Sequence, residues 1–267
     1  MSNSNYHALQ ITAIQRPGSG LTFMVNYTWS KAIDDGGTFR SGYAIPAAYS
    51  QTGKYEKADV MDRSLSTSDQ PQHLVVTGVW DIPFAKSRGD SLGHAVYHDV
   101  IGGWKFSEIL QAYSGSPLPI IASNCGTNPA VSQCMPTLNP AWTSSSARMN
   151  GGWGHGATAA NYTTLSYINP NAFTPTPAYV FGNAARTAPY GIFGPGTYEL
   201  DISLRRTFPI YKRASLLFEG DMFNVTNHTF FTVGSETYNG SAAMGTITGQ
   251  STLEPSRDMQ FAAKLQF

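Results

Sequence analysis

Arg257-Asp258-Met259-Gln260-Phe261-Ala262-Ala263-Lys264-Leu265-Gln266-Phe267 closes the chain and decides how the rest is read. Met259, Phe261, Ala263, Leu265 and Phe267 fall on one side of an extended backbone, and Asp258, Gln260, Ala262, Lys264 and Gln266 on the other. Side chains of a strand alternate between its two faces, so this segment predicts one apolar face and one polar face. Roughly 9–11 residues cross a bilayer as a tilted strand, which is the length of this segment.

The same alternation recurs upstream. Leu9, Ile11 and Ala13 mark a first, weakly apolar face; Leu21, Phe23, Val25, Tyr27 and Trp29 a second; Leu74, Val76, Gly78, Trp80 and Ile82 a third. Trp104, Phe106, Leu110 and Ala112 follow, then Tyr198, Leu200, Ile202, Leu204 and Phe208, then Leu216, Phe218, Gly220 and Met222. Strands are therefore expected near 5–15, 20–31, 72–82, 104–113, 198–208, 214–225 and 257–267. Glu108 falls on an apolar face, and nothing in the pattern accounts for it. Trp29, Trp80, Trp104, Tyr27 and Phe208 sit near strand ends on the apolar side, as aromatic girdles do in outer-membrane barrels. The fold class expected is all-β, an antiparallel up-and-down meander of about seven long strands forming part of a larger transmembrane β-barrel.

The connections alternate in length. Residues 16–20 and 209–213 read as tight turns and 83–103 as a medium one, whereas 32–71, 114–197 and 226–256 are long loops. Short turns on one side and long loops on the other are the pattern of short periplasmic and long extracellular connections. With Phe267 on the periplasmic side, counting strands back puts every long loop outside and makes the first strand begin outside. Seven is also odd, whereas bacterial single-chain barrels have even strand numbers. Both points predict that residues 1–267 form the C-terminal part of one larger β-barrel domain.

Composition agrees. Charged residues are 13% of the 267, about half the usual roughly 25%. Aromatics are 12%, and 26 Gly and 16 Pro sit mostly in polar stretches. The formal net charge is zero, which leaves no electrostatic footprint for nucleic acid. No run approaches the roughly 18 consecutive apolar residues of a membrane helix. Met1-Ser2-Asn3-Ser4-Asn5-Tyr6 has no basic or apolar region of a signal peptide, so an exported chain requires a start further upstream.

The ordered set of segments resembles a known family. Ser4-Asn5-Tyr6-His7-Ala8-Leu9-Gln10, residues 20–31 and Asp69-Gln70-Pro71-Gln72-His73 are similar to the C-terminal barrel of TonB-dependent, Oar-like outer-membrane proteins. So are Gly102-Gly103-Trp104, Tyr113-Ser114-Gly115-Ser116-Pro117, Phe181-Gly182-Asn183-Ala184-Ala185-Arg186 and Phe223-Asn224-Val225-Thr226-Asn227-His228. These proteins carry a carboxypeptidase-regulatory-like domain at the N-terminus and are abundant in acidobacteria. The resemblance implies a parent with that domain, a plug and a barrel of about 22 strands. Such a parent imports an unidentified small solute across the bacterial outer membrane, drawing energy from the TonB system through N-terminal parts that this chain lacks. It also implies that Met259, Phe261, Ala263, Leu265 and Phe267 form the membrane-insertion signal read by the barrel-assembly machinery, with outer-membrane lipid around the wall. Glu108 departs from the family, which usually has a small or apolar residue there. Two other readings are a small porin-like barrel and a secreted β-sandwich adhesin or sugar-binding module.

Site chemistry is sparse. Cys125 and Cys134 enclose eight residues and are spaced to close a loop disulfide in an oxidising compartment; two unpaired thiols are the alternative. His94 and His98 have a metal-ligand spacing for a helix but no third ligand, and the Asp34-Asp35-Gly36-Gly37 stretch lacks the carboxylate series of a calcium loop. His228 marks a strand-to-loop transition. No Ser/His/Asp set sits in a nucleophile elbow, so neither enzyme activity, nor a cofactor, nor a metal is expected. Tyr43, Tyr49, Tyr55, Trp142, Trp153, Tyr162 and Tyr167 lie in the long loops, where packing is favoured over ligand stacking.

Overall fold

The structure, a computed structural model, describes residues 3–16, 18, 20–35, 63–83, 102–122, 135–148, 167–177, 182–211, 213–234, 236–238, 244–250 and 256–267. Seven long strands form its frame: β1 (Ser4–Gln15), β2 (Leu21–Asp34), β3 (Gln72–Asp81), β4 (Lys105–Tyr113), β5 (Thr197–Tyr211), β6 (Ala214–Phe223) and β7 (Asp258–Gln266). Each pairs antiparallel with its neighbour in sequence, giving one sheet in the order β1 to β7. β1 and β7 each pair on one side only among the described residues.

Register turns seven alternating patterns into one surface. Directly opposed residues share a face, and Leu21, Trp80, Phe106, Leu204, Gly220 and Phe261 form one continuous row across six strands. Ala13, Val25, Val76, Leu110 and Leu200 form another. A slip of one residue anywhere would send a strand's apolar set to the wrong side. Where the row reaches Gly220, the Phe261 ring lies over the bare backbone and fills the space a side chain would take.

Among the described residues no second layer covers this face. None of the buried hydrophobic residues belongs to the seven long strands, while Leu9, Ile11, Trp29, Phe261 and Leu265 are all at least 49% exposed. A water-soluble sheet buries its apolar face against another layer. An apolar face left open in this way suits lipid, and the ladders between neighbouring strands satisfy the backbone except along the outer sides of β1 and β7.

Two strand limits differ from the expectation for a physical reason. β2 runs on to Asp34, because the pair Ser64–Leu65 adds to its far end. β5 runs through Pro209 to Tyr211, where a tight turn was expected. The register shifts at Ala214/Ser215 so that Ser215 faces Pro209. Proline cannot donate to a ladder and is tolerated at such an irregularity.

Candidate functional site

The polar face of the sheet is the first part of the site. Asp81, Lys105, Arg205 and Glu219 form a row across four strands. Lys105 Nζ lies 3.1 Å from the Asp81 carboxylate, and Arg205 Nη1 lies 3.7 Å from that of Glu219. These four side chains are 32–54% exposed, so water screens each pair and its contribution is below about 1 kcal/mol. Gln260 donates to Asp221 at 3.1 Å and Thr12 to Asn26 at 2.8 Å. The face mixes these polar and charged groups with scattered apolar ones such as Met24, Val79 and Ile109.

At the long-loop end the chain builds a second, compact unit. The two ends of the 114–197 connection run side by side: Gly194 N–H donates to Ser116 O at 2.8 Å, Leu118 N–H to Ile192 O at 3.2 Å and Ala188 N–H to Leu118 O at 2.7 Å. Gly115 makes this possible, because a methyl there would overlap the Gly194 carbonyl. Ile121–Ala122 pairs with Thr237–Tyr238, and Tyr167 N–H donates to Gly245 O at 2.7 Å, joining this connection to the 226–256 loop. Gly245 has φ of +68°, and a side chain would strike Ile168.

The buried core of the chain lies in this cap. It contains Leu118, Ile120, Tyr167, Ile168, Phe173, Ile192, Met244 and Ile247, with Trp142 and Tyr190 packed against it. Tyr167 is 2% exposed, its hydroxyl donates to Phe193 O at 2.7 Å, and burial raises its pKa. Tyr167 and Trp142 are thus packing residues. Tyr43, Tyr49, Tyr55, Trp153 and Tyr162 lie outside the described residues, as do Cys125, Cys134, His94 and His98.

Several motifs fasten loop segments to the sheet. Arg186, 1% exposed, donates to the Asp34 carboxylate and to Asp34 O, the latter at 3.1 Å. Thr187 beside it donates to Leu65 O and lies 3.0 Å from Ser64 Oγ. The Asp69 carboxylate accepts the Ala32 N–H at 2.6 Å, while Ser30 donates its hydroxyl to Gln70 O and its N–H to Pro71 O. Burial raises the Asp69 pKa, with the Ala32 N–H and then Lys31 pulling the other way.

Asn224 does similar work where β6 ends. It is fully buried with φ of +45°, a conformation Asn tolerates better than most residues. Its N–H donates to Asp201, and its amide group both donates to His228 O and accepts the His228 N–H, each at 2.9 Å. His228 stacks on Tyr198 at 4.2 Å, and burial lowers its pKa. His228 therefore sits at the strand-to-loop transition, held by the turn.

Sequence patterning did not single out Arg186, Asp34, Asp69 or Asn224 as structural ties. Their signal was the motif each belongs to, without the partner that explains it.

Met259, Phe261, Ala263 and Leu265 share the apolar face of β7, the sheet's edge, and Phe267 beyond it is 90% exposed. Among the described residues no three His, Cys, Asp or Glu side chains converge as a metal site, and no helix is long and apolar enough to cross a membrane.

Comparison with curated proteins and with solved structures finds no match. A family model described as "Outer membrane beta barrel domain" matches residues 1–260, nearly the whole chain. The uncovered apolar face, the polar wall opposite and the loop cap at one end are what such a barrel wall requires, and the chain belongs to the outer membrane beta barrel domain family.

Proposed function

We propose that this chain is the C-terminal wall of a TonB-dependent, Oar-like receptor that imports a small solute across the outer membrane. The observation that carries the reading is the pair of one-sided edges at β1 and β7. A barrel wall tolerates no open edge within lipid, which supports a larger barrel whose further strands join them. The ordered motifs around Asp69, Arg186 and Asn224 favour the Oar-like parent over a small porin-like barrel, because each fastens a loop segment to the wall.

In this reading the polar face lines the lumen, the cap faces outward, and the C-terminus is periplasmic. Phe267 and the apolar residues of β7 form the signal presented to the barrel-assembly machinery. The solute passes between wall and plug, energised through the N-terminal parts of the parent.

The test is direct. The reading frame upstream of Met1 should encode a plug and a regulatory-like domain, and the full-length parent should be heat-modifiable in outer-membrane fractions. A signal peptide placed immediately before Met1 would favour the small barrel, and recovery of the native parent as a soluble cytoplasmic protein would overturn both.

A further inference from the structure

On the apolar face of the sheet the apolar rows stop at a definite place. Along β2 they run from Leu21 to Trp29, about 27 Å at roughly 3.4 Å per residue, close to the roughly 25 Å apolar band of a membrane barrel. The last row sets Leu9 opposite Trp29 and Trp29 opposite Gln72, with Ser114 N–H donating to Gln72 O beside it. Tyr27 and Tyr198 stand one row further in. Trp and Tyr near the end of a membrane strand mark headgroup depth, where acyl chains give way to phosphates.

One row beyond Trp29, His7 stands directly opposite Lys31. Alternation along β1 and β2 puts both on the same face as Leu9 and Trp29. Both residues are exposed, and among the described residues neither side chain makes a hydrogen bond or an ion pair. The acidic groups around this corner are occupied otherwise. Asp69 attracts Lys31 but is 1% exposed, and its carboxylate accepts the Ala32 N–H. Asp34, on the opposite face, holds Arg186, and Asp35 accepts two hydrogen bonds from Asn3. A lysine in this position lays its stem along apolar surface and keeps its ammonium at the polar boundary.

We propose that His7 and Lys31 form a binding site for the phosphate of an anionic phospholipid in the leaflet at the long-loop end. Lys31 supplies the charge, the His7 imidazole a second hydrogen bond, and Leu9, Ile11 and Trp29 the surface against which the acyl chains lie. Those three are at least 52% exposed, which leaves that surface open to lipid. All five side chains share one face, so a single lipid outside the wall meets them together. A zwitterionic headgroup carries its own cation beside the phosphate, so the lysine favours the anionic one. The site needs only the barrel wall and is independent of what the parent transports.

The experiment uses the native protein purified from membranes, with Cys125→Ser, Cys134→Ser and a thiol-linked fluorophore at Leu9→Cys. In phosphatidylcholine vesicles the fluorophore is quenched by brominated phosphatidylglycerol or by brominated phosphatidylcholine of the same acyl chains. The anionic lipid should associate about fivefold more strongly, as one lysine at a membrane surface implies. Lys31→Gln should remove most of that preference and His7→Ala lower it by a smaller factor, while Lys264→Gln, on the polar face, should leave it intact. Should the cysteine background not fold, native mass spectrometry with the two unbrominated lipids should show the same loss in Lys31→Gln against wild type. Equal association of the two lipids, or an undiminished preference in folded Lys31→Gln, would overturn the proposal. A preference abolished by millimolar inorganic phosphate but not by sodium chloride of equal ionic strength would reassign the pair to a soluble anion and overturn it equally.

Discussion

Arg186 and Asp34 are 152 positions apart in the chain and meet in a buried ion pair that fastens the cap to the end of β2. The arginine side chain is 1% exposed and the aspartate side chain 20%. Removing one partner strands a charge away from water, which costs about 3–5 kcal/mol for a buried pair. Arg186→Ala is therefore expected to release the cap from the sheet while the strands stay in register. Limited proteolysis should show faster cleavage within 114–197, with an unchanged heat-modifiable barrel band in the full-length parent. A cap as resistant as wild type would contradict the clamp.

Gly115 bears on the same cap through its backbone. A methyl there would overlap the Gly194 carbonyl, so the two ends of the long connection would have to part. Gly115→Ala should cost more than the roughly 1–3 kcal/mol typical of overpacking, because backbone rather than a pliable side chain stands in the way. Thermal melting of the cap, followed by protease resistance, measures it. By contrast Gly18→Ala, with no atom near its added methyl, should change nothing.

Acidity should act on the cap in two directions. Burial raises the Glu236 carboxyl from 4.5 to about 7, so the folded cap holds a proton that the unfolded chain releases above about pH 4.5. Stability from this group is full below that point and falls as pH rises towards 7. His228, lowered from 6.5 by burial, acts oppositely: the unfolded chain takes up a proton below 6.5 that the folded turn resists, so stability falls on acidification through that value. Glu236→Gln should match wild type near pH 4.5 and become progressively more stable than it up to pH 7, as read from the cap's melting midpoint across a pH series. A difference independent of pH would exclude the carboxyl as its source.

Glu108 stands on the apolar face opposite Gly78 and Ile202, and its side chain lies across Gly78. A carboxylate facing lipid destabilises a barrel by somewhat less than the roughly 2–4 kcal/mol of a basic residue at the midplane. Glu108→Leu is expected to raise the temperature at which the parent loses its heat-modifiable form. Gly78→Val should lower it, since the new side chain would displace Glu108 from its seat.

The patterning of Leu21–Asp34 and Asp258–Gln266 was legible because a strand between water and lipid is written residue by residue. Each side chain faces one medium, and the alternation survives without help from distant contacts. Pro209 was harder. A proline two residues from a tight turn reads as its start, and only the shifted pairing with Ser215 shows that β5 continues past it. Tyr167 was legible as a packing residue, but its partners were not. Phe193 and Gly245 lie far along the chain and carry no shared period with it.

Sequence by itself determined which residues share a face, because alternation is a local property of an extended chain and the medium on each side selects it directly. Tertiary structure alone decided that the buried core lies in the cap and not in the sheet. It also decided that Arg186 finds Asp34. Those relations depend on closing long loops. Their partners come together through the sum of many contacts, and no single stretch of sequence records that sum.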